Sequence, residues 1–169
     1  MRQRDCKIED LFYNENQRVS AGAACRREHN RKEYIMLRQI SIFTENTKGA
    51  MQRITGLLAK ENINIYNVVT NDSAEYGIVR MLVDETDRAL ELLKGDGYMV
   101  SEAKVIAVTI PDDPGSLNRL LLTLTDANIN IDYLYVSYNR GNAAPCAILK
   151  AAGYAEVEMC LSQHGYEVL

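Results

Sequence analysis

The 169-residue sequence contains no tryptophan, three prolines and two histidines. The histidines, His29 and His164, are too few for most metal centres or a histidine-based catalytic triad. No apolar run approaches the roughly 18 residues that cross a bilayer. No basic start leads into an apolar segment of the secretory kind. Four cysteines, Cys6, Cys25, Cys146 and Cys160, include no Cys-x-x-Cys pair, and none lies at metal-ligand spacing from a histidine. They are expected to be reduced thiols of a cytoplasmic protein. Positive charge is also short: 19 Lys and Arg face 23 Asp and Glu, a net charge of −4. That balance disfavours nucleic acid and anionic membranes, which call for a basic footprint. The chain is 47% hydrophobic and 25% charged. That suffices for one average domain or two small ones.

The first 35 residues differ from the rest. They hold 14 charged residues, eight basic and six acidic, and no regular apolar period. They are expected to be an irregular or disordered extension. Met36 stands directly before the first strand pattern. Residues 1–35 therefore read either as a genuine tail or as an upstream extension from an early start codon.

Beyond Met36 the pattern becomes regular. Leu37–Thr44 alternates as a strand, and Met51, Ile54, Leu57 and Leu58 recur at helical spacing. Strands are expected at Ile63–Val69 and Tyr76–Val83, a helix at Asp84–Lys94, and a short fourth strand at Tyr98–Val100. Gly95 and Gly97 end that helix. A shift of 66 residues then superimposes the chain on itself. Ile40 meets Ile106, Gly49 meets Gly115, Arg53 meets Arg119 and Leu58 meets Leu124. Asn62-Ile63-Asn64-Ile65 meets Asn128-Ile129-Asn130-Ile131. The chain holds a duplicated unit, spanning residues 36–102 and 103–169.

The second copy reads in the same order. Val105–Ile110 is a strand, and Leu117, Leu120, Leu121 and Leu124 form a helical stripe. Ile129–Tyr138 is a strand, Asn139–Asn142 a turn and Pro145–Ala151 a strand. Ala155–His164 is a helix and Tyr166–Leu169 a last short strand. The order strand-helix-strand-strand-helix-strand predicts an α+β fold. It consists of two ferredoxin-like βαββαβ units side by side, with antiparallel sheets and helices on one face.

Many functions use this fold, so the residues must choose among them. RNA recognition needs stacking aromatics on the central strands, and Gly77–Val83 and Cys146–Lys150 have none. A soft-metal carrier needs cysteines in the first loop, and neither loop has one. A phosphate-handling enzyme of this fold needs an arginine there, and Glu45–Gly49 and Pro111–Gly115 lack it. No nucleophile–base pair or metal cluster stands out, so no catalytic residue, metal or cofactor is expected. The loops do place Gly49 and Gly115 where strand turns into helix. Free backbone N–H groups at such a turn suit a carboxylate. Asp112 and Asp113 beside them suit an ammonium. Together they form a candidate clamp for an amino acid, although Asp112 also fits a plain helix cap.

The run Pro111-Asp112-Asp113-Pro114-Gly115-Ser116-Leu117, followed by Asn128-Ile129-Asn130-Ile131, resembles the ACT domain. Glu45-Asn46-Thr47-Lys48-Gly49-Ala50-Met51 with Asn62-Ile63-Asn64-Ile65 resembles a second copy, and the likeness covers residues 36–169. It departs at Lys48, where the second copy has Pro114, and at Asn46, where it has Asp112. Unequal sites are therefore expected. The resemblance implies a free-standing regulatory protein that binds a free amino acid between its units and signals to a metabolic enzyme or regulator. It implies ligand contacts from Asn46, Thr47, Gly49, Ala50, Met51, Asn64 and Ile65 of the first unit. The second contributes Asp112, Asp113, Gly115, Ser116, Leu117, Asn130 and Ile131.

Other residues carry plainer expectations. Asn62 and Asn128 follow helices, where asparagine takes a left-handed cap. Asn64 and Asn130, lying between inward isoleucines, are expected on the other sheet face. Arg53 and Arg119 fall on the outer helix face and are expected in solvent. Cys146 and Cys160 are expected in the core. Ile131, Tyr133 and Tyr135 alternate with Leu134 and Val136, so both faces of that strand are apolar. A half-covered sheet would show one polar face. A second protomer or a protein partner is expected to cover the helix-free side, which favours a homodimer. The alternative function is a protein-interaction module that uses this open face without a small ligand.

Overall fold

The computed structural model describes residues 37–71, 76–138 and 144–169. The N-terminal extension, Met36 and the Asn139–Asn142 turn lie outside the described residues. The first unit contains β1 (Leu37–Glu45), α1 (Ala50–Lys60), β2 (Ile65–Asn71), β3 (Tyr76–Val83) and α2 (Thr86–Gly95). Then follow β4 (Met99–Thr109), α3 (Ser116–Asp126), β5 (Ile131–Tyr138), β6 (Pro145–Ala151) and α4 (Tyr154–Gln163). Helices α1 and α3 coincide under the 66-residue shift. Both end the same way: Asn62 and Asn128 take φ of 55° and 56°. Their amides bond to Ala59 and Thr125, and the next amides, of Ile63 and Ile129, reach back to Leu58 and Leu124. This cap satisfies the last carbonyls and turns the chain towards the next strand.

Each unit buries its own core between sheet and helices. Ile40, Ile42, Val79, Met81 and Val83 pack against Ile54, Leu58, Ala89 and Leu93 in the first. Ile106, Val108, Ala147 and Leu149 pack against Leu120, Leu124, Val157 and Leu161 in the second. The α+β fold with antiparallel sheets and one helical face per unit stands as expected.

The join between the units differs from the expectation. The short strand at Tyr98–Val100 and the strand at Val105–Ile110 are one continuous strand, β4. Its first part pairs with β1, from Phe43 opposite Met99 to Leu37 opposite Val105. Its last part pairs with β6, from Ile106 opposite Leu149 to Thr109 opposite Cys146. The strand order is β2-β3-β1-β4-β6-β5. A strand that changes sheets in this way makes a corner. The last strand expected, Tyr166–Leu169, is reduced to a bridge between Val168 and Val108.

The corner brings the two helix-free faces together. Leu37 and Leu82 of the first unit meet Val105, Ala107, Cys146 and Ile148 in a third core, flanked by Tyr66, Tyr133, Tyr135 and Leu169. The cover expected from a second protomer or partner is therefore supplied by the other half of the same chain. The reading of strand faces also changes. A bulge at Asp132 separates Ile131 from Tyr133 in the pairing with β6. Ile131 consequently joins Leu134 on the helix side, while Tyr133 and Tyr135 face the other sheet. Alternation alone places all three on one side, and one extra residue breaks it.

Candidate functional site

The loop between β1 and α1 and its copy between β4 and α3 each border a groove. In the first unit the groove holds about 450 Å³ beside Glu45, Asn46, Thr47, Gly49, Ala50, Met51 and Gln52. Thr70 and Asn71 at the end of β2, and Gly77 to Val79 at the start of β3, form its other side. The second unit repeats this with about 440 Å³ beside Pro111, Asp112, Asp113, Gly115, Ser116, Leu117 and Asn118. There Leu121, Val136, Tyr138 and Pro145 complete the lining. Ten lining positions coincide under the 66-residue shift, from Thr44 with Ile110 to Val79 with Pro145. The grooves are thus one structure made twice, each within a single unit.

The loop geometry follows from glycine. Gly49 and Gly115 cap the helices with φ of 83° and 92° and make no side-chain cap bond. A residue with a Cβ is strained in that region. The expected cap from Asp112 is absent, because α3 begins at Ser116 and Gly115 occupies its N-cap. Ala50 bonds back to the Thr47 carbonyl and Arg53 to that of Gly49. Ser116 and Arg119 do the same with Asp113 and Gly115. Between them, the amides of Met51 and Gln52, and of Leu117 and Asn118, precede any helical carbonyl four residues back. They point out of the positive end of each helix, towards where an anion is favoured.

Arg53 and Arg119 are exposed, as expected, and from there both also fold back over their loops. Arg119 Nη2 donates to Asp113 Oδ1 at 2.7 Å, to Oδ2 at 3.0 Å and to Ser116 Oγ at 2.7 Å. Arg53 makes longer contacts, to Thr47 Oγ1 at 3.3 Å and the Lys48 carbonyl at 3.4 Å. The difference traces to one position: Asp113 offers a charged acceptor where Thr47 offers a hydroxyl. The repeat already paired the two arginines, and that identity was the signal for this role. Asp113 is thereby engaged, whereas among the described residues no cation pairs with Asp112.

Of the candidate residues, ten lie at these grooves: Asn46, Thr47, Gly49, Ala50, Met51, Asp112, Asp113, Gly115, Ser116 and Leu117. Asn64, Ile65, Asn130 and Ile131 line neither. Asn64 and Asn130 precede their strands and are exposed, rather than lying on a sheet face. The Asn64 amide bonds to Asp84 Oδ1 at 3.0 Å, and the Asp84 amide to the Asn64 carbonyl at 3.2 Å. Ile65 pairs with Val83 at the far end of β3. Five residue steps along the strand separate Ile65 from Thr70, roughly 17 Å.

The inter-unit face carries a polar cluster as well. Gln39 is fully buried. Its Nε2 donates to the Tyr133 hydroxyl at 2.6 Å, and its Oε1 accepts from the Tyr135 hydroxyl at 2.8 Å. Asn67 Nδ2 donates to Ser137 Oγ at 2.7 Å, and the Arg80 guanidinium lies 4.4 Å from the Tyr133 ring centroid. Burial pushes the Tyr135 hydroxyl above its ordinary range and the Cys146 thiol up to about 11. Among the described residues no cluster of His, Cys, Asp and Glu could hold a metal ion. No helix among them is long and apolar enough to cross a membrane.

The sequence profile of the ACT domain pair matches residues 35–151. The chain belongs to the ACT domain pair family. This ACT pair is similar to the crystal structure of protein BT0572 from Bacteroides thetaiotaomicron, with a TM-score of 0.73 and 29% identity. The match covers 79% of this chain and 92% of that one. It also shares its fold with the ligand-free regulatory subunit of aspartate kinase from Thermus thermophilus, at a TM-score of 0.59 and 15% identity. That match covers 76% of this chain and 92% of the subunit. No curated protein matches the ACT pair significantly. The family fold is a regulatory one, and its two copies account for both grooves.

Proposed function

We propose that this ACT pair is a non-catalytic regulatory protein that senses a free amino acid. The observation that carries the reading is the repeated groove. Each copy sets outward amides beside a glycine turn, and the second adds the carboxylate of Asp112, which no cation among the described residues pairs. The amides of Met51 and Gln52, or of Leu117 and Asn118, would hold the ligand carboxylate. Asp112 would hold its ammonium in the second groove, and Asn46 would do so more weakly in the first. Volumes of about 450 and 440 Å³ exceed what one amino acid needs, which leaves room for a second wall.

That wall is proposed to come from a second copy of the chain. β2 and β5 are the outer strands of the six-stranded order. A homodimer joined at such an edge would bring Asn64 and Ile65, or Asn130 and Ile131, of one copy over a groove of the other. The ligand would then lie between units, and its binding would favour the assembled form. A metabolic enzyme or regulator would read that change. The alternative of an interaction module on an open sheet loses its surface, because the two helix-free faces cover one another.

Thermal melting of the full chain with each of the twenty amino acids at millimolar concentration tests the reading. A ligand at about 100 times its dissociation constant adds about 2.7 kcal/mol and raises the midpoint. Gly115→Val is expected to weaken that ligand's binding while the protein stays folded. The absence of a shift with every amino acid would overturn the proposal.

A further inference from the structure

The two grooves are equivalent in position but not in chemistry. Both have an apolar floor, made by Met51 and Val79 in the first and by Leu117 and Leu121 in the second. Their strand walls differ. Thr44 and Thr70 of the first unit correspond to Ile110 and Val136 of the second under the 66-residue shift. Tyr138, two residues beyond Val136 on the same face of β5, extends the apolar wall of the second groove. Val136 is 45% exposed and Tyr138 62%, though both belong to large apolar residue types. Side chains of that kind, held together at the rim of a groove, mark a surface that is covered when occupied.

Resting on the amino-acid reading above, we infer that the two grooves select different side chains. The helix start and Asp112 grip the backbone of the ligand, so its side chain projects to the strand wall. In the second groove that wall is Val136 and Tyr138, and it takes an amino acid with an apolar side chain. In the first it is Thr44 and Thr70, and it takes one with a hydrogen-bonding side chain. The pair Thr70 and Val136 are the specificity-determining residues. They are nearly the same shape and differ by a hydroxyl in place of a methyl. A polar ligand at the Val136 wall would leave its hydrogen-bonding groups unpaired. An apolar ligand at the Thr70 wall would strand the wall's own.

Leucine and asparagine, which have similar shapes, are the probes. Each is titrated into the isotope-labelled full chain, and the amides of Leu117 and Asn118 are followed by NMR alongside those of Met51 and Gln52. Leucine is expected to move the first pair of amides at least about tenfold more tightly than asparagine, the scale of one apolar group in a pocket. Asparagine is expected to move the second pair preferentially. Val136→Thr should cut leucine affinity at the second groove by about tenfold, and Thr70→Val should do the same for asparagine at the first. Affinities equal within about threefold at both grooves would overturn this inference and leave the amino-acid reading standing. So would binding confined to amino acids with charged side chains. If none of the twenty amino acids moves either set of amides, the amino-acid reading itself fails and selectivity falls with it.

Discussion

Gln39 and Tyr133 lie 94 residues apart in sequence and meet between the two sheets, at 2.6 Å. Gln39 belongs to the first strand of the first unit and Tyr133 to the second strand of the other. The same glutamine also accepts from Tyr135 at 2.8 Å, so both ends of its amide are used. A buried amide with both ends paired is a positional lock, because any slip of one sheet over the other breaks both bonds.

Gln39→Leu preserves volume but leaves two tyrosine hydroxyls facing an apolar partner. A loss of about 2–4 kcal/mol is expected, since each stranded buried polar group costs about 1–3 kcal/mol. Adding Tyr133→Phe and Tyr135→Phe to that variant should recover much of the loss. Urea denaturation of the single and triple variants measures both. A single variant as stable as the parent would mean that the lock contributes nothing.

Alkaline pH should destabilise the chain through the same interface. Cys146 is fully buried, and burial pushes its thiol from 9.0 to about 11. The Tyr135 hydroxyl moves in the same direction, first by burial and then by its neighbour Tyr133. The folded protein therefore keeps protons that the unfolded chain releases. The contribution is fully present below pH 9 and is lost as pH climbs towards 11, an effect of about 2–3 kcal/mol from the thiol. Stability measured by urea at stepped pH should fall in that window, and less steeply for Cys146→Ala.

Arg119 braces the second loop from an exposed position. Its ion pair with Asp113 is 53% and 52% exposed at the two side chains, so Arg119→Ala should cost less than about 1 kcal/mol of global stability. The local effect should be larger. Amide exchange at residues 113–118 is expected to quicken in the variant, while the matching amides of the first loop stay unchanged. Equal exchange in parent and variant would show that the loop holds its shape without the brace.

Much of this molecule was legible in the sequence. The strand Tyr76–Val83 and the strand Pro145–Ala151 fall at the expected residues. Helices α1 and α3 carry their stripes at the expected positions, and the asparagine caps take the expected backbone. Gly49 and Gly115 sit at the helix starts and ten candidate residues gather at grooves there. The folding-back of Arg53 and Arg119 was not foreseen. Helical spacing reports which side of a helix a residue occupies, but not where a long flexible side chain finds its acceptor.

The sequence by itself determined the repeat, the element order and the chemistry of the loops. Those features are local: a strand period, a helical stripe and a glycine turn each lie within a dozen residues. Tertiary structure alone decided three further things. It merged two expected strands into β4, turned the helix-free faces inward, and let a bulge at Asp132 move Ile131 to the opposite side from Tyr133. Each of these depends on contacts between residues far apart in the chain. A one-residue shift in pairing exchanges the faces of a strand, and composition leaves no trace of it.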